Sequence, residues 1–275
     1  MKERRTTREK ILVYCVLLLF ASFFLIPMYV LLSTSLKSFS EVSIQTMWLL
    51  PGEISFEGFR TAFARLAPNV FNSFYLVIPA TLFSAMLGSL NGYVLSHWKF
   101  RGSDTLFALI LFGMFIPYQS ILFPLVQFMQ SIGLYGSIPG LILVHVVYGL
   151  PITTLMFRNY YKDVPKALTE AAKVDGANIF TIYRHIFFPI SIPSFVVVFI
   201  WQFTNIWNEF LFAVTLTDTA SQPITVALTN LAGSQVVEWN VQMSGAIITA
   251  LPTLIVYIIF GRYFIRGMLA GSVKG

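Results

Sequence analysis

The chain has 275 residues, of which 56% are hydrophobic, 16% aromatic and only 11% charged. A soluble domain carries roughly a quarter charged residues, so an ordinary water-soluble globule is excluded and a lipid-embedded protein is indicated. The formal net charge of +6 has no clustered basic face behind it, which removes a nucleic-acid reading, and the single Cys15 supports neither a disulfide framework nor a thiolate metal site.

A helix needs about 20 mostly apolar residues to cross hydrocarbon, where no water can satisfy exposed backbone groups. The opening MKERRTTREK precedes the first such run, 11–33. That run is too long for the apolar core of a secretory signal and lacks a small-residue cleavage site, so a retained first helix is expected. In the following loop, 34–70, Phe56, Phe59, Phe63 and Leu66 are spaced to share one helical face. Either a short helix at the outer interface or a capping loop without partner contacts fits that spacing.

The second run, 71–96, carries Ala80, Ser84, Gly88, Gly92 and Ser96 at intervals of four, a small-residue stripe that lets another backbone approach closely. The third and fourth runs are 105–128 and 138–157. Pro27, Pro79, Pro117, Pro124, Pro151 and Pro252 fall inside apolar runs, where each removes a backbone donor and can kink its helix.

Between the fourth and fifth runs lies 158–189, with eight charged side chains. Pro165 suits a first helical turn, KALTEAAKV is rich in helix formers, and Gly176 is a natural left-handed terminator. A second helix starting near Asn178 places Ile179, Ile182 and Ile186 along one apolar face, directed away from the membrane, before Pro189 leads into the next run. A docking partner would cover such a face; a solvated loop packed on its own bundle has the same composition.

The fifth run, 190–215, holds Trp201, Gln202, Asn205, Trp207, Asn208 and Glu209, and Glu209 is the only charged residue inside any run. Polar groups at membrane depth face a bundle interior or a wet cavity, and aromatic faces with amides suit a sugar's C–H and O–H surfaces. Gln202, Asn205, Trp207, Asn208 and Glu209 are therefore the candidate substrate pathway. Their alternative roles are headgroup-level anchoring and hydrogen bonding to neighbouring helices. The sixth run is 243–261. With the amino end inside, the segments 1–10, 97–104, 158–189 and 262–275 are cytoplasmic and hold 15 of the 18 Lys and Arg residues.

Other chemistry is missing from the sequence. His97, His145 and His185 have no metal-ligand spacing, no phosphate cradle of the G-x-x-x-x-G-K-[ST] type occurs, and nothing resembles a nucleophile elbow. The expected architecture is a single all-α transmembrane domain over 1–275, a six-helix polytopic bundle with a cytoplasmic helix-turn-helix loop.

The run Glu170-Ala171-Ala172, three residues, Gly176, nine residues, Ile186, one residue, Phe188-Pro189 resembles the cytoplasmic EAA loop of permease subunits in binding-protein-dependent ABC importers. Phe188 stands where that family usually has Leu. The longer EAAKVDGA, the WNEFLFAVTLT at 207–217 and the ending GRYFIRGMLAGSVKG are similar to the carbohydrate-uptake branch and its smaller maltose-type permeases. The resemblance implies a prokaryotic inner-membrane protein with both termini cytoplasmic. It would pair with a second homologous permease, two cytoplasmic ATPase subunits and an extracytoplasmic sugar-binding protein.

By the same resemblance Glu170, Ala171, Ala172, Asp175, Gly176, Ile179, Ile182, Ile186 and Pro189 form the ATPase-coupling loop. ATP and Mg would be bound by the partner ATPase and no cofactor by this chain, which is then no enzyme; the substrate would be a monosaccharide such as glucose or mannose. Two rivals remain at this stage, an ion-gradient-driven sugar transporter and a non-transporting membrane scaffold.

Overall fold

The computed structural model describes residues 7–98, 100–233 and 237–272, with backbone alone at residue 7 and over 262–272. The described residues are helical apart from turns and one isolated bridge between Gly136 and Thr217. The α-helices are α1 (Thr7–Ser35), α2 (Glu57–His97), α3 (Ser103–Phe112), α4 (Leu122–Ser131), α5 (Ile138–Lys162), α6 (Lys166–Val174), α7 (Ile179–Ile182), α8 (Phe188–Ile190), α9 (Ile192–Asn208), α10 (Leu211–Leu216), α11 (Ile224–Ala232) and α12 (Trp239–Ser272). Among the described residues four helices, α1, α2, α5 and α12, are long and apolar enough to cross a membrane, and counting each of two bent pairs as one span gives six.

The first bent pair breaks a run expected above to be continuous, and the second falls at the entry to a run. The run 105–128 turns through 89° between Phe115 and Tyr118. Pro117 offers no N–H and disfavours helical backbone at the residue before it, and Ile116 is extended, with ψ 117°. In the fifth run the chain bends by 76° at Ser191, and α9 then stops at Asn208 because Glu209 is extended, with ψ 131°. Pro27, Pro79, Pro151 and Pro252 stay inside helices.

Two compact units divide the chain. In the first, residues 1–67 and 228–250, the loop after α1 is tied down by hydrogen bonds from Lys37 Nζ to Thr46 O (2.6 Å), Ser33 Oγ to Leu49 O (2.7 Å) and Asn240 Nδ2 to Lys37 O (3.3 Å). The aromatic spacing at 56–66 does not make a separate short helix. From Glu57 onward it is the beginning of α2, with Leu66 buried while Phe56 and Phe63 stay exposed. Gly58 sits so near α12 that a Cβ would lie 2.7 Å from Asn240 O, which brings the start of α2 close to α12.

The second unit, residues 68–227 and 251–275, contains the small-residue stripe. Ala80 and Ser84 are fully buried; a Cβ on Gly92 would lie 2.7 Å from Arg158 N and 2.8 Å from Phe157 Cβ, and one on Gly88 would collide with Thr153. The stripe is therefore the seam between α2 and α5. Gly149 answers it from α5, where a Cβ would strike Gln202 and come within 2.8 Å of Ser84 Oγ. Close backbone approach of this kind is how helices gain packing energy in lipid, which offers no hydrophobic drive between them.

Candidate functional site

Residues 166–190 form helix, tight turn, helix. α6 follows Pro165 and ends in a Schellman motif: Gly176 N–H donates to Lys173 O (3.0 Å) and Ala177 N–H to Ala172 O (2.9 Å). Gly176 has φ +81°, the left-handed conformation that suits glycine, and no atom lies within 4 Å of where its Cβ would stand. Asn178 then caps α7, its Oδ1 accepting from Thr181 N–H at 2.9 Å.

Each helix has an inner side. On α6, Thr169 is 3% exposed and bonded to His97 Nδ1 (3.3 Å), and Lys173 Nζ stands 4.0 Å over the Trp98 ring. His97 Nε2 also meets Tyr161 O at 2.8 Å, which ties the end of α2 to both α5 and α6. Glu170, Ala171, Asp175 and Gly176 are exposed, whereas Ala172 is partly buried.

After α7 the backbone takes a π-helical turn over Tyr183–Phe187, with Phe188 N–H donating to Tyr183 O. The expected apolar face is corrected here. Ile179, Ile182 and Ile186 were expected to share one outward side; instead Ile182, Tyr183 and Phe187 are buried and Ile186 is half-buried. They join Tyr93, Phe157, Tyr161 and Val198 in one buried cluster, and Ile186 packs against it. The outward apolar side chains include Leu168, Val174 (88% exposed), Ile179 and Phe180 (62% exposed), with Phe188, Pro189 and Ile190 exposed at the far end.

The cluster also contains a buried hydroxyl chain. Tyr183 OH donates to Ser89 Oγ (2.9 Å), Ser89 Oγ and Tyr161 OH are 2.6 Å apart, Tyr161 OH donates to Ser191 Oγ (2.9 Å), and Ser191 Oγ donates to Phe188 O (3.0 Å). With Ser89 donating to Tyr161, each hydroxyl gives one bond, and the chain ends on a backbone carbonyl, so no buried donor is left over. Tyr93 OH adds a bond to Ile179 O at 3.1 Å.

The polar cluster of the fifth run divides between two sides of α9. Gln202 is buried at 3% exposure, and Trp207 at 1%, stacked on Phe203 with centroids 5.7 Å apart and edge-on to Phe74 at 5.0 Å. Both belong to the packing of their own unit, not to a surface a substrate could touch. Trp201, Asn205 and Asn208, one turn apart, are exposed on the other side, with the Asn amides donating to Trp201 O and Thr204 O, both at 2.8 Å. Glu209 caps α10, its carboxylate accepting from Phe212 N–H (2.8 Å) and Ala213 N–H (3.1 Å), and lies 3.8 Å from His145 Nε2. Among the described residues no three His, Cys, Asp or Glu side chains converge on a metal position.

The family of binding-protein-dependent transport system inner membrane components matches residues 78–270. The chain belongs to that family. A probable ABC transporter permease protein of Pyrococcus horikoshii is 46% identical over 274 residues, covering 99% of this chain and 100% of that protein. The xylose/arabinose import permease protein XacI of Haloferax volcanii is 36% identical, covering 93% of this chain and 90% of that one. A crystal structure of a bacterial ABC transporter involved in the import of the acidic polysaccharide alginate shares the fold, with a TM-score of 0.81 at 22% identity over 94% of this chain and 99% of that one.

The matched part of this inner membrane component takes in the whole helix-turn-helix segment and α9. Sequence reasoning found its turn and its cap but missed the anchor. Tyr93, Tyr161, Tyr183, Ser89 and Ser191 carried no local signal, although aromatic side chains recur in every element that meets there.

Proposed function

We propose that this inner membrane component is the translocation subunit of an ATP-driven sugar importer, acting as one transmembrane domain over 1–275 with both termini cytoplasmic. The observation that carries the reading is the two-sided 166–190 segment: its base is locked into an aromatic and hydroxyl core, and its rim offers Glu170, Val174, Ile179 and Phe180 unpaired to the surroundings. An exposed apolar rim on a rigid base is the form a docking handle needs, because little ordering entropy remains to be lost when a partner grips it.

In this reading the rim seats in a cytoplasmic ATPase subunit, two of which serve this chain and a second homologous permease. ATP and Mg sit in those subunits, and this chain performs no catalysis. An extracytoplasmic binding protein delivers the sugar. A monosaccharide is favoured, in keeping with the xylose/arabinose import named for one relative. Closure of the ATPases would draw the handles together and rock the two permeases between outward- and inward-open states. Trp201, Asn205 and Asn208 are the α9 residues assigned to the pathway; Gln202 and Trp207 support them from behind.

Gly176→Val tests the reading. A β-branched residue held at positive φ costs on the order of 1–2 kcal/mol or more, and since no neighbour crowds the position, backbone strain is the only perturbation. In vesicles containing all partners, the variant should insert and pair with the second permease while sugar uptake and binding-protein-stimulated ATP hydrolysis come apart. Gly176→Asn, which tolerates the left-handed conformation, should recover much of the coupling. Normal transport by Gly176→Val with the ATPase normally bound would sink the coupling assignment.

A further inference from the structure

A cavity of about 310 Å³ opens where the end of α2, the start of α3, the end of α5 and the start of α6 meet, and the coupling reading makes no use of it. Its lining includes Asp104, Arg158, Lys162 and Lys166. Arg158 is fully engaged: Nη2 meets Asp104 Oδ1 at 2.9 Å, Nε donates to Leu95 O at 3.3 Å, and the guanidinium lies 3.8 Å over the Phe107 ring. Asp104 thus answers Arg158 and no other cation. Lys162 and Lys166, from two different helices, face the same space with no ion-pair partner among the described residues.

α6 adds to the imbalance, since it begins at Lys166 with neither an acidic residue in its first turn nor a side-chain cap. No acidic residue of α6's own first turn therefore offsets its positive end beside the two ammonium groups. Such a cavity attracts an anion that can accept from both lysines at once.

We propose that this cavity holds the phosphate of an anionic phospholipid headgroup. A lipid source fits better than a soluble anion because the cavity lies at the ends of apolar helices. Ser103 and Asp104 line it at the first turn of α3, and within one to two turns Phe100, Leu106 and Leu109 present exposed apolar surface along which an acyl chain can lie. Basic pockets between helices at the cytoplasmic leaflet recognise anionic headgroups through this combination of charge and apolar flank.

The headgroup would bridge Lys162 of α5 and Lys166 of α6. His97, which also lines the cavity, is bonded to Tyr161 O and Thr169, so the occupied site braces the base of the proposed coupling handle. That consequence rests on the importer reading; the binding itself does not, and the test is one of binding alone.

The full chain, purified in a zwitterionic detergent, is titrated with dioctanoyl phosphatidylglycerol, with dioctanoyl phosphatidylcholine and with inorganic phosphate, and bound lipid is counted by native mass spectrometry. One equivalent of phosphatidylglycerol should be retained about tenfold or more in preference to phosphatidylcholine. Combined Lys162→Gln and Lys166→Gln should abolish the preference, and added salt should weaken it. Arg60→Gln, which removes an exposed charge at the start of α2, should leave it unchanged. Equal retention of the two lipids, or a preference that survives the lysine changes, would overturn the proposal. Full displacement by inorganic phosphate at matched concentration would overturn the lipid source.

Discussion

The base and the rim of the 166–190 segment are built from the same residue classes and end in opposite environments. At the base, Ile182, Tyr183 and Phe187 are between 0% and 4% exposed and share a core with Tyr93, Phe157 and Tyr161. At the rim, Val174 and Phe180, a few residues away, stand in the open. Apolar character alone therefore does not say which side of a short helix pair packs. The tertiary contacts decide it, and here the inward side is the one that meets Tyr93, Phe157 and Tyr161. The base fixes geometry, and the rim leaves apolar surface exposed that the proposed partner would cover.

The largest effect on stability should come from breaking the base. Tyr161→Ala removes a fully buried ring and interrupts the hydroxyl chain between Ser89 and Ser191, at a cost of about 3–5 kcal/mol. Thermal unfolding in detergent should show it as a large drop, with poor recovery of the chain. A change as small as that of a surface variant would mean that the core does not hold the loop. Tyr161→Phe keeps the ring and removes the hydroxyl, leaving a gap between the two serines, and should cost about 1–3 kcal/mol.

Next in size is the cap on α7. Asn178→Ala loses the Oδ1 bond to Thr181 N–H and should cost about 1 kcal/mol, read as a smaller shift in the same unfolding experiment and as faster amide exchange at Thr181. Unchanged exchange would place the start of α7 under the control of the base alone.

The rim should register least in stability. Val174→Ser with Phe180→Ser is expected to stay within about 0.5 kcal/mol of the parent, since both side chains are exposed. The same variant should lose co-purification of the ATPase, and that separation of stability from docking is what the two-sided segment demands. A stable variant that keeps its ATPase would show that the rim is solvent-facing only.

The helix α9 repeats the contrast inside a single element. Asn205→Ala combined with Asn208→Ala should lower sugar uptake with assembly intact, whereas Trp207→Ala should first lower stability, because Trp207 is buried between Phe74 and Phe203. Unchanged uptake in the double Asn variant would remove the exposed side of α9 from the pathway.

Most of the local design was legible in advance. The left-handed Gly176, the cap at Asn178, the seam of Ala80, Ser84, Gly88 and Gly92, and the helical nature of the apolar runs all follow from residue type and spacing. The continuity of the runs did not follow. Pro117 was visible, but whether a proline kinks a helix or breaks it into a right-angled pair depends on what else satisfies the freed backbone groups. The sides taken by the candidate pathway residues were not legible for a similar reason: Gln202, Asn205, Trp207, Asn208 and Glu209 are neighbours in sequence, and a helix distributes such neighbours around its circumference.

By itself the sequence determined that this is a helical membrane protein, where its apolar runs and its charged interruption lie, and where that interruption turns, because hydrophobic length, charge placement and left-handed backbone are properties of short stretches. The tertiary structure alone decided which residues of the interruption are buried. Tyr161 finds Ser89 across 72 positions and Tyr183 finds Ser89 across 94. Partners so far apart exert no influence on local periodicity, so the inward side of the segment exists only once α2, α5 and the loop have packed together.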